Sequence, residues 1–194
     1  MDKSSRDPVS PRAKVRKALG EAELWEYALR SLGRRMRTEK ELRRLMMQRA
    51  EPGEIGQSAV SAVIERLKEL NYLNDTRFAA DYTRLRKENQ KLGPRRVRQD
   101  LAVKGLAKEL ISEAVSSTYE NVDEIALARQ YIERKRIKEP KGENRQKEAS
   151  RVTGRLLRAG FSSGTVFKVL RQWGIEADET ELSASDPLEN PDGE

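Results

Sequence analysis

The chain has 194 residues, enough for one or two ordinary domains, and its composition favours small aliphatic cores. Charged residues make up 37% and aromatic residues 5%, which suits amphipathic helices better than a large sheet. The absence of cysteine and histidine excludes disulfides, thiolate nucleophiles, imidazole bases and the common zinc ligand sets.

Positive charge is concentrated in the first 175 residues. The formal net charge is +7, but residues 176–194 contain eight acidic residues and no basic one. Residues 1–175 therefore hold 39 Lys and Arg against 24 Asp and Glu, a net charge of +15. A basic body of this size is typical of proteins that bind a polyanion, an anionic membrane or an acidic protein surface.

The two ends of the chain are predicted to lie outside the folded part. Residues 1–20 are polar, basic and interrupted by proline, and we expect a flexible basic arm. Residues 176–194 are expected to form an acidic disordered tail. The N-terminus lacks the apolar segment of a secretory signal and no stretch approaches membrane-spanning length, so a cytoplasmic location is expected.

Between these ends, apolar residues recur with the period of amphipathic helices. The first predicted helix carries its apolar face on residues 24–32. The second begins with a capping box, in which Thr38 accepts a bond from the backbone of Glu41 and the Glu41 side chain returns it. The third has the most regular apolar stripe, on residues 60–70.

The fourth helix is predicted to begin after Asn74, a residue that suits the N-cap, with Leu73 packed on Phe78 as a hydrophobic staple. It ends near the Gly-Pro pair at 93–94, and the proline opens a fifth helix that ends at Gly105. A sixth helix covers residues 110–115.

The last three predicted helices begin near Asp123, lie roughly between residues 145 and 159, and run from the cap Ser162 to Gly174. Six positions of the fifth and sixth helices recur 55 residues later with matching residue types. The pairs are Val97 and Val152, Leu101 and Leu156, Gly105 and Gly160, Leu106 and Phe161, Ile111 and Val166, and Val115 and Leu170. Stepping back by the same distance from the first helix of such a pair reaches Leu42, Met46 and Ala50, so the period covers three units.

The predicted fold is therefore all-α. It consists of three tandem three-helix repeats, each similar to a helix-turn-helix, in an elongated array with disordered N- and C-terminal arms. The repeats are expected at residues 21–73, 74–119 and 120–175.

One stretch carries a specific pattern, LKELNYLNDTRFAADYTRLRKENQKLGPRRVRQDLAVKGL. Its elements YLND-RFA, Y---R, K-GP-R-R-DL and KG, in that order and spacing, resemble the RecX family of recombinase regulators. Supporting resemblance covers roughly residues 24–173 and includes E-ELRR, which begins at Glu39, and LLRAGFS, which begins at Leu156.

The resemblance implies a non-enzymatic regulator that lodges in the helical groove of the RecA filament on single-stranded DNA. It would restrain filament growth, ATP hydrolysis, strand exchange and the co-protease activity that triggers the SOS response in DNA repair and recombination. It implies weak, salt-sensitive binding to single-stranded DNA alone. We expect a monomer with no catalytic residue, no metal, no cofactor and no membrane partner.

The candidate filament- or DNA-binding surface is a basic cluster on the fourth and fifth helices. On an α-helical wheel, the basic residues of the fourth helix lie opposite its apolar face, where Phe78 and Tyr82 are expected in the core rather than as base-stacking platforms. The candidates are Arg77, Arg84, Lys87, Lys91, Arg95, Arg96, Arg98 and Lys104. A secondary basic patch consists of Arg34, Arg35, Arg43 and Arg44.

Two other binding functions remain open from the residues alone. Basic helical triplets read duplex grooves in transcriptional regulators and nucleoid proteins, and this alternative predicts tight duplex binding without a recombinase. An RNA-binding module is the second, although an exposed aromatic platform for bases is not evident. A nuclease needs clustered carboxylates or a histidine base, and the acidic residues are scattered among helix-surface ion pairs.

Overall fold

The computed structural model describes residues 17–175, and within that range it contains nine α-helices and no strand, as the sequence predicts. None of these helices is both long enough and apolar enough to cross a membrane. The helices are α1 (Glu21–Arg34), α2 (Glu39–Met47), α3 (Glu54–Glu69), α4 (Asp75–Leu85), α5 (Pro94–Val103), α6 (Lys108–Tyr119), α7 (Glu124–Arg134), α8 (Arg145–Arg158) and α9 (Ser163–Gln172).

Three separate apolar cores follow one another along the chain, each built from three consecutive helices. The first core contains Leu24, Leu42 and Ile64 from α1, α2 and α3. The second contains Phe78, Leu101 and Ile111 from α4, α5 and α6. The third is built in the same way from α7, α8 and α9. Full burial of such an aliphatic or aromatic side chain contributes about 1.5 to 3 kcal/mol, so each unit has an apolar core of its own.

The helix starts are set by local sequence, as predicted. The Thr38 hydroxyl accepts a hydrogen bond from the backbone N–H of Glu41 at 3.1 Å. The side chains of Asn74, Asp123 and Ser162 cap α4, α7 and α9 in the same way, and Pro94 occupies the first turn of α5. Each cap satisfies a backbone donor that the helix itself leaves unpaired.

The predicted capping box of α2 forms only in part. Thr38 accepts its bond, but the Glu41 carboxylate does not return one, and instead accepts from Lys104 Nζ at 2.7 Å. The interaction with a lysine from α5 has displaced the local one, because an ion pair between partly buried groups is stronger than a neutral bond to an exposed N–H.

The predicted staple between Leu73 and Phe78 is wrong. Leu73 is buried in the first core, with the residues of α3, whereas Phe78 belongs to the second core. The chain therefore changes from one core to the next between these two residues, at the helix cap Asn74.

The fourth helix does not continue as an α-helix to the Gly-Pro pair. After Leu85 it widens into a π-helical turn, Arg86–Gln90, and the turn ends at Lys91 in the left-handed conformation with φ of 57°. A π turn winds more loosely than an α turn, so side chains beyond Leu85 leave the angular positions that an α-helical wheel assigns to them.

The packed part of the chain begins before residue 21. Leu19 lies within the segment expected to be a flexible arm, but its N–H donates to the carbonyl of Arg49 at 2.7 Å and its side chain packs on the first core. The rest of that segment, residues 1–16, and the expected acidic tail at 176–194 lie outside the described residues.

The 55-residue repeat is visible in the structure as equivalent burial. The paired apolar positions of the second and third units are all buried, and Gly105 and Gly160 share a left-handed conformation, with φ of 82° and 91°. At such φ values a side chain would clash with the backbone, which explains glycine at the turn between the second and third helices of both units.

The first and second units meet where the start of α2 touches the end of α5. The Thr38 hydroxyl donates to the carbonyl of Lys104 at 2.8 Å, beside the Lys104–Glu41 ion pair. In addition, the N–H of Glu39 donates to the Asp75 carboxylate at 2.9 Å. This joint is made mainly of polar side chains.

The second and third units meet through backbone at the equivalent position. Gly93 N–H donates to the carbonyl of Ala159 at 2.8 Å, and Arg95 N–H donates to that of Gly160 at 3.3 Å. Gly93 and Ala159 lie 55 residues after Thr38 and Lys104, so the contact between units repeats along with the units themselves. The two joints place α2, α5 and α8 in sequence along one side of the molecule.

Candidate functional site

An open groove of about 940 Å³ runs along α5 and is lined by residues of all three units. Its lining includes seven basic residues and two acidic ones, a formal net charge of +5. The basic residues are Lys40, Arg44, Arg86, Arg96, Lys104, Arg155 and Arg158, and the acidic ones are Glu41 and Asp100.

The two joints determine where these charges lie. The start of α2 contacts the C-terminal end of α5, and the end of α8 contacts its N-terminal end. A ten-residue helix is about 15 Å long, so α5 separates the basic residues of α2 from those of α8 by about that distance.

Both acidic residues of the groove are held in ion pairs within it. Glu41 pairs with Lys104 at 2.7 Å. Asp100 pairs with Arg96 at 2.9 Å, lies 3.9 Å from Arg86, and accepts a hydrogen bond from the Tyr82 hydroxyl at 3.2 Å. The side chains of Glu41 and Asp100 are 18% and 17% exposed, so an incoming anion meets little of their charge.

Tyr82 forms part of the groove wall and is fixed on several sides. Its ring stacks on Phe78 with centroids 5.6 Å apart, and the Arg86 guanidinium lies 4.6 Å above it. Its hydroxyl accepts from Arg86 at 2.6 Å and donates to Asp100. Burial raises the pKa of Tyr82, which keeps the hydroxyl protonated as a donor. The ring is therefore a structural support, as predicted, and one edge of it borders the groove.

Four cations of the groove have no ion-pair partner among the described residues. Lys40 and Arg44 on α2, and Arg155 and Arg158 on α8, are exposed and make no ion pair within residues 17–175. An anion that binds them has no internal pair to break, so these four are the groove cations best placed to contact a ligand.

The structure brings only part of the predicted basic cluster to the groove. Arg96 and Lys104 line it, together with Arg44 of the predicted secondary patch. The other candidates do not line it; they are Arg77, Arg84, Lys87, Lys91, Arg95, Arg98, Arg34, Arg35 and Arg43.

The basic stripe predicted on α4 faces away from the groove. Arg84 lies two residues from Tyr82, on the opposite side of the helix, where it pairs with Asp81 at 3.1 Å and Glu88 at 3.3 Å. Lys87, on the π-helical turn, donates to the carbonyl of Thr118 at the end of α6 instead of pointing into solvent. Whether this stripe binds a partner of its own stays a prediction.

Four groove cations escaped the sequence prediction: Lys40, Arg86, Arg155 and Arg158. A signal for two of them was present. The groove face of α5 includes positions 96, 99, 100 and 103, and adding the 55-residue period reaches 151, 154, 155 and 158 on α8. What the sequence lacked was the knowledge of which face of α5 points into the groove.

Three tandem helical units with a shared basic groove define a helical-repeat protein with an anion-binding surface. A sequence model of the second three-helix domain of RecX matches residues 74–115. The Streptomyces coelicolor protein named regulatory protein RecX is 32% identical over 144 residues, which covers 74% of this chain and 73% of that protein. The Geobacillus kaustophilus protein of the same name is 29% identical over 160 residues, covering 82% of this chain and 57% of that protein.

The chain therefore belongs to the RecX family of regulatory proteins, and the resemblance seen in the sequence is confirmed. The crystal structure of RecX from Lactobacillus salivarius superposes with a TM-score of 0.59 at 21% identity, covering 79% of this chain and 96% of that one. That likeness confirms the helical fold. The match to the Geobacillus relative spans little more than half of its length.

Proposed function

We propose that this chain binds the RecA recombinase filament on single-stranded DNA and restrains its growth, ATP hydrolysis, strand exchange and co-protease activity. It acts by occupancy and performs no chemistry of its own. The groove along α2, α5 and α8 is the contact surface, and single-stranded DNA alone binds weakly.

The observation that carries this proposal is the groove, with its net charge of +5 and its four cations that have no ion pair within residues 17–175. A concave basic surface that extends over three units suits an extended acidic partner better than a small ligand. Family membership supplies the identity of that partner, since the relatives are named regulatory protein RecX.

The charge of the third helices argues against a duplex-reading helix-turn-helix protein. In such proteins the last helix of the triplet enters the major groove of a phosphate-rich duplex. Helices α3 and α6 each carry one more acidic than basic residue. The positive surface lies instead on the second helices, which such proteins do not insert into the major groove.

Co-sedimentation tests the proposal. The chain is mixed with RecA filaments assembled on single-stranded DNA, with the same DNA alone, and with a duplex of equal length, at 50 and 200 mM salt. We expect saturable binding to the filament at both salt concentrations and weak binding to bare DNA that falls at the higher one, since phosphate contacts are salt-sensitive. Equal binding to bare duplex and filament would support the duplex-binding alternative and overturn the proposal.

A further inference from the structure

The four unpaired cations of the groove lie at its two ends. Lys40 and Arg44 lie on α2, and Arg155 and Arg158 lie on α8, with the length of α5 between them. Along α5 itself the charge is nearly balanced, because Arg96 and Lys104 are engaged by carboxylates within the groove.

The centre of the groove also presents an apolar side chain. Val103 on α5 is 82% exposed, more than the other exposed large hydrophobic residues of the described chain. The equivalent positions of the first and third units hold Gln48 and Arg158. Valine forms helices less readily than glutamine or arginine, so helix stability does not account for it. Leu92 and the Tyr82 ring continue the apolar surface beside it.

This pattern fits a peptide better than a nucleic acid strand. A DNA strand carries a charge on every nucleotide, a few ångströms apart, and would set phosphates against the balanced, apolar centre. An acidic peptide can place carboxylates at the two ends and an apolar side chain between them. At about 3.3 Å per residue, the 15 Å between the ends corresponds to four or five residues of extended chain.

We propose that the groove receives an acidic peptide segment of the recombinase filament, with an apolar side chain packed on Val103, and that it does not bind the DNA strand. The identity of the partner rests on the proposed function, whereas the chemistry of the segment rests on the groove alone.

A double-mutant cycle tests the peptide contact. The probe is a labelled synthetic peptide with a central Leu and, on each side, two Glu two residues away; its partner peptide has Ser in place of Leu. Fluorescence anisotropy measures the binding of both peptides to the full chain and to Val103→Ser. Each single change is expected to weaken binding about fivefold through lost apolar burial, and the second change is expected to add little to the first.

Two controls accompany the cycle. Ile55→Ser removes a β-branched side chain that is 71% exposed and lies off the groove, and should leave peptide binding unchanged. A labelled oligothymidylate should bind Val103→Ser as it binds the unmodified chain, because its phosphates make no apolar contact.

Three results would overturn the inference: no binding of the Leu peptide, equal binding of both peptides to both proteins, or displacement of the peptide by oligothymidylate at low micromolar concentration. In the filament assay, Val103→Ser should weaken co-sedimentation. If the unmodified chain fails to co-sediment, the proposed function fails, and the peptide cycle still decides the chemistry of the groove.

Discussion

The backbone contact between the second and third units predicts a graded response to glycine substitution. Gly93 has an ordinary φ of −74°, but a Cβ there would lie 2.2 Å from the carbonyl oxygen of Gly160. Ordinary contacts begin near 3.4 Å, so the two segments would have to separate by about 1 Å. Gly93→Ala therefore isolates the effect of the close approach.

The magnitude follows from the bonds that such a separation breaks. The hydrogen bonds from Gly93 to Ala159 and from Arg95 to Gly160 contribute about 1 kcal/mol each, so Gly93→Ala should lower the free energy of unfolding by about 2 kcal/mol. Gly160→Ala breaks the same contact and adds the strain of a residue at φ of 91°, for a total of about 3 kcal/mol or more.

Gly142→Ala is the matched control. Its φ is 73° and a Cβ there meets nothing within 4 Å, so it carries the conformational strain alone, about 1 kcal/mol. Alanine also restricts the unfolded chain, but equally in all three variants, so the order is unaffected.

Urea denaturation followed by circular dichroism gives the three free energies of unfolding. The expected order of destabilisation is Gly142→Ala, then Gly93→Ala, then Gly160→Ala. Because the same contact holds α8 beside α5, Gly93→Ala should also weaken filament binding, and Gly142→Ala should not. A Gly93→Ala protein as stable as Gly142→Ala or more so would refute the close approach of the two units.

Two further predictions concern charge. Removing residues 176–194, an acidic segment outside the described residues, should strengthen filament or DNA binding at low salt and matter less at high salt, since exposed charges are screened within about 8 Å at physiological ionic strength; an unchanged salt profile would contradict this. Burial raises the pKa of Asp75, with smaller contributions from the Glu39 and Glu41 charges, so its ionised form costs stability above that pKa and the cost is relieved as the pH falls through it. Asp75→Asn, whose amide oxygen can still accept from Glu39 N–H, should therefore be more stable than the unmodified chain at pH 7, and denaturation should show that advantage shrinking towards pH 4.

The helices were predictable because their signals are local. Caps such as Asn74 and Ser162 lie within three residues of the donors that they satisfy, and the apolar period reports the buried face of each helix. The 55-residue period was also readable, since equivalent core positions need similar side chains.

The groove was harder to predict because it depends on how the units dock. Nothing near Thr38 in sequence indicates that its hydroxyl meets Lys104, and nothing near Gly93 indicates its contact with Ala159. The α-helical wheel also failed beyond Leu85, where the π-helical turn redirects Lys87. Charge density pointed to the correct repeat, but the solvent-facing stripe and the groove lie on opposite sides of α4.

The central claim, that the groove restrains the filament, is tested most directly by inhibition of RecA ATP hydrolysis with matched charge variants. The groove variant replaces Lys40, Arg44, Arg155 and Arg158 with Ala, and the control replaces four exposed lysines and arginines off the groove, Lys108, Arg134, Lys147 and Lys168. A third variant replaces Arg84, Lys87, Arg95 and Arg98, the set favoured by the sequence. Helicity should be unchanged in the groove and control variants, since surface substitutions stay within about 0.5 kcal/mol each.

We expect the groove variant to need at least about tenfold more protein for half-maximal inhibition, as four charge contacts of about 0.5 kcal/mol each are lost, while the control inhibits normally. Inhibition by the groove variant at the concentrations of the unmodified chain, with loss only in the third variant, would contradict the account and place the binding surface on the outer face of α4.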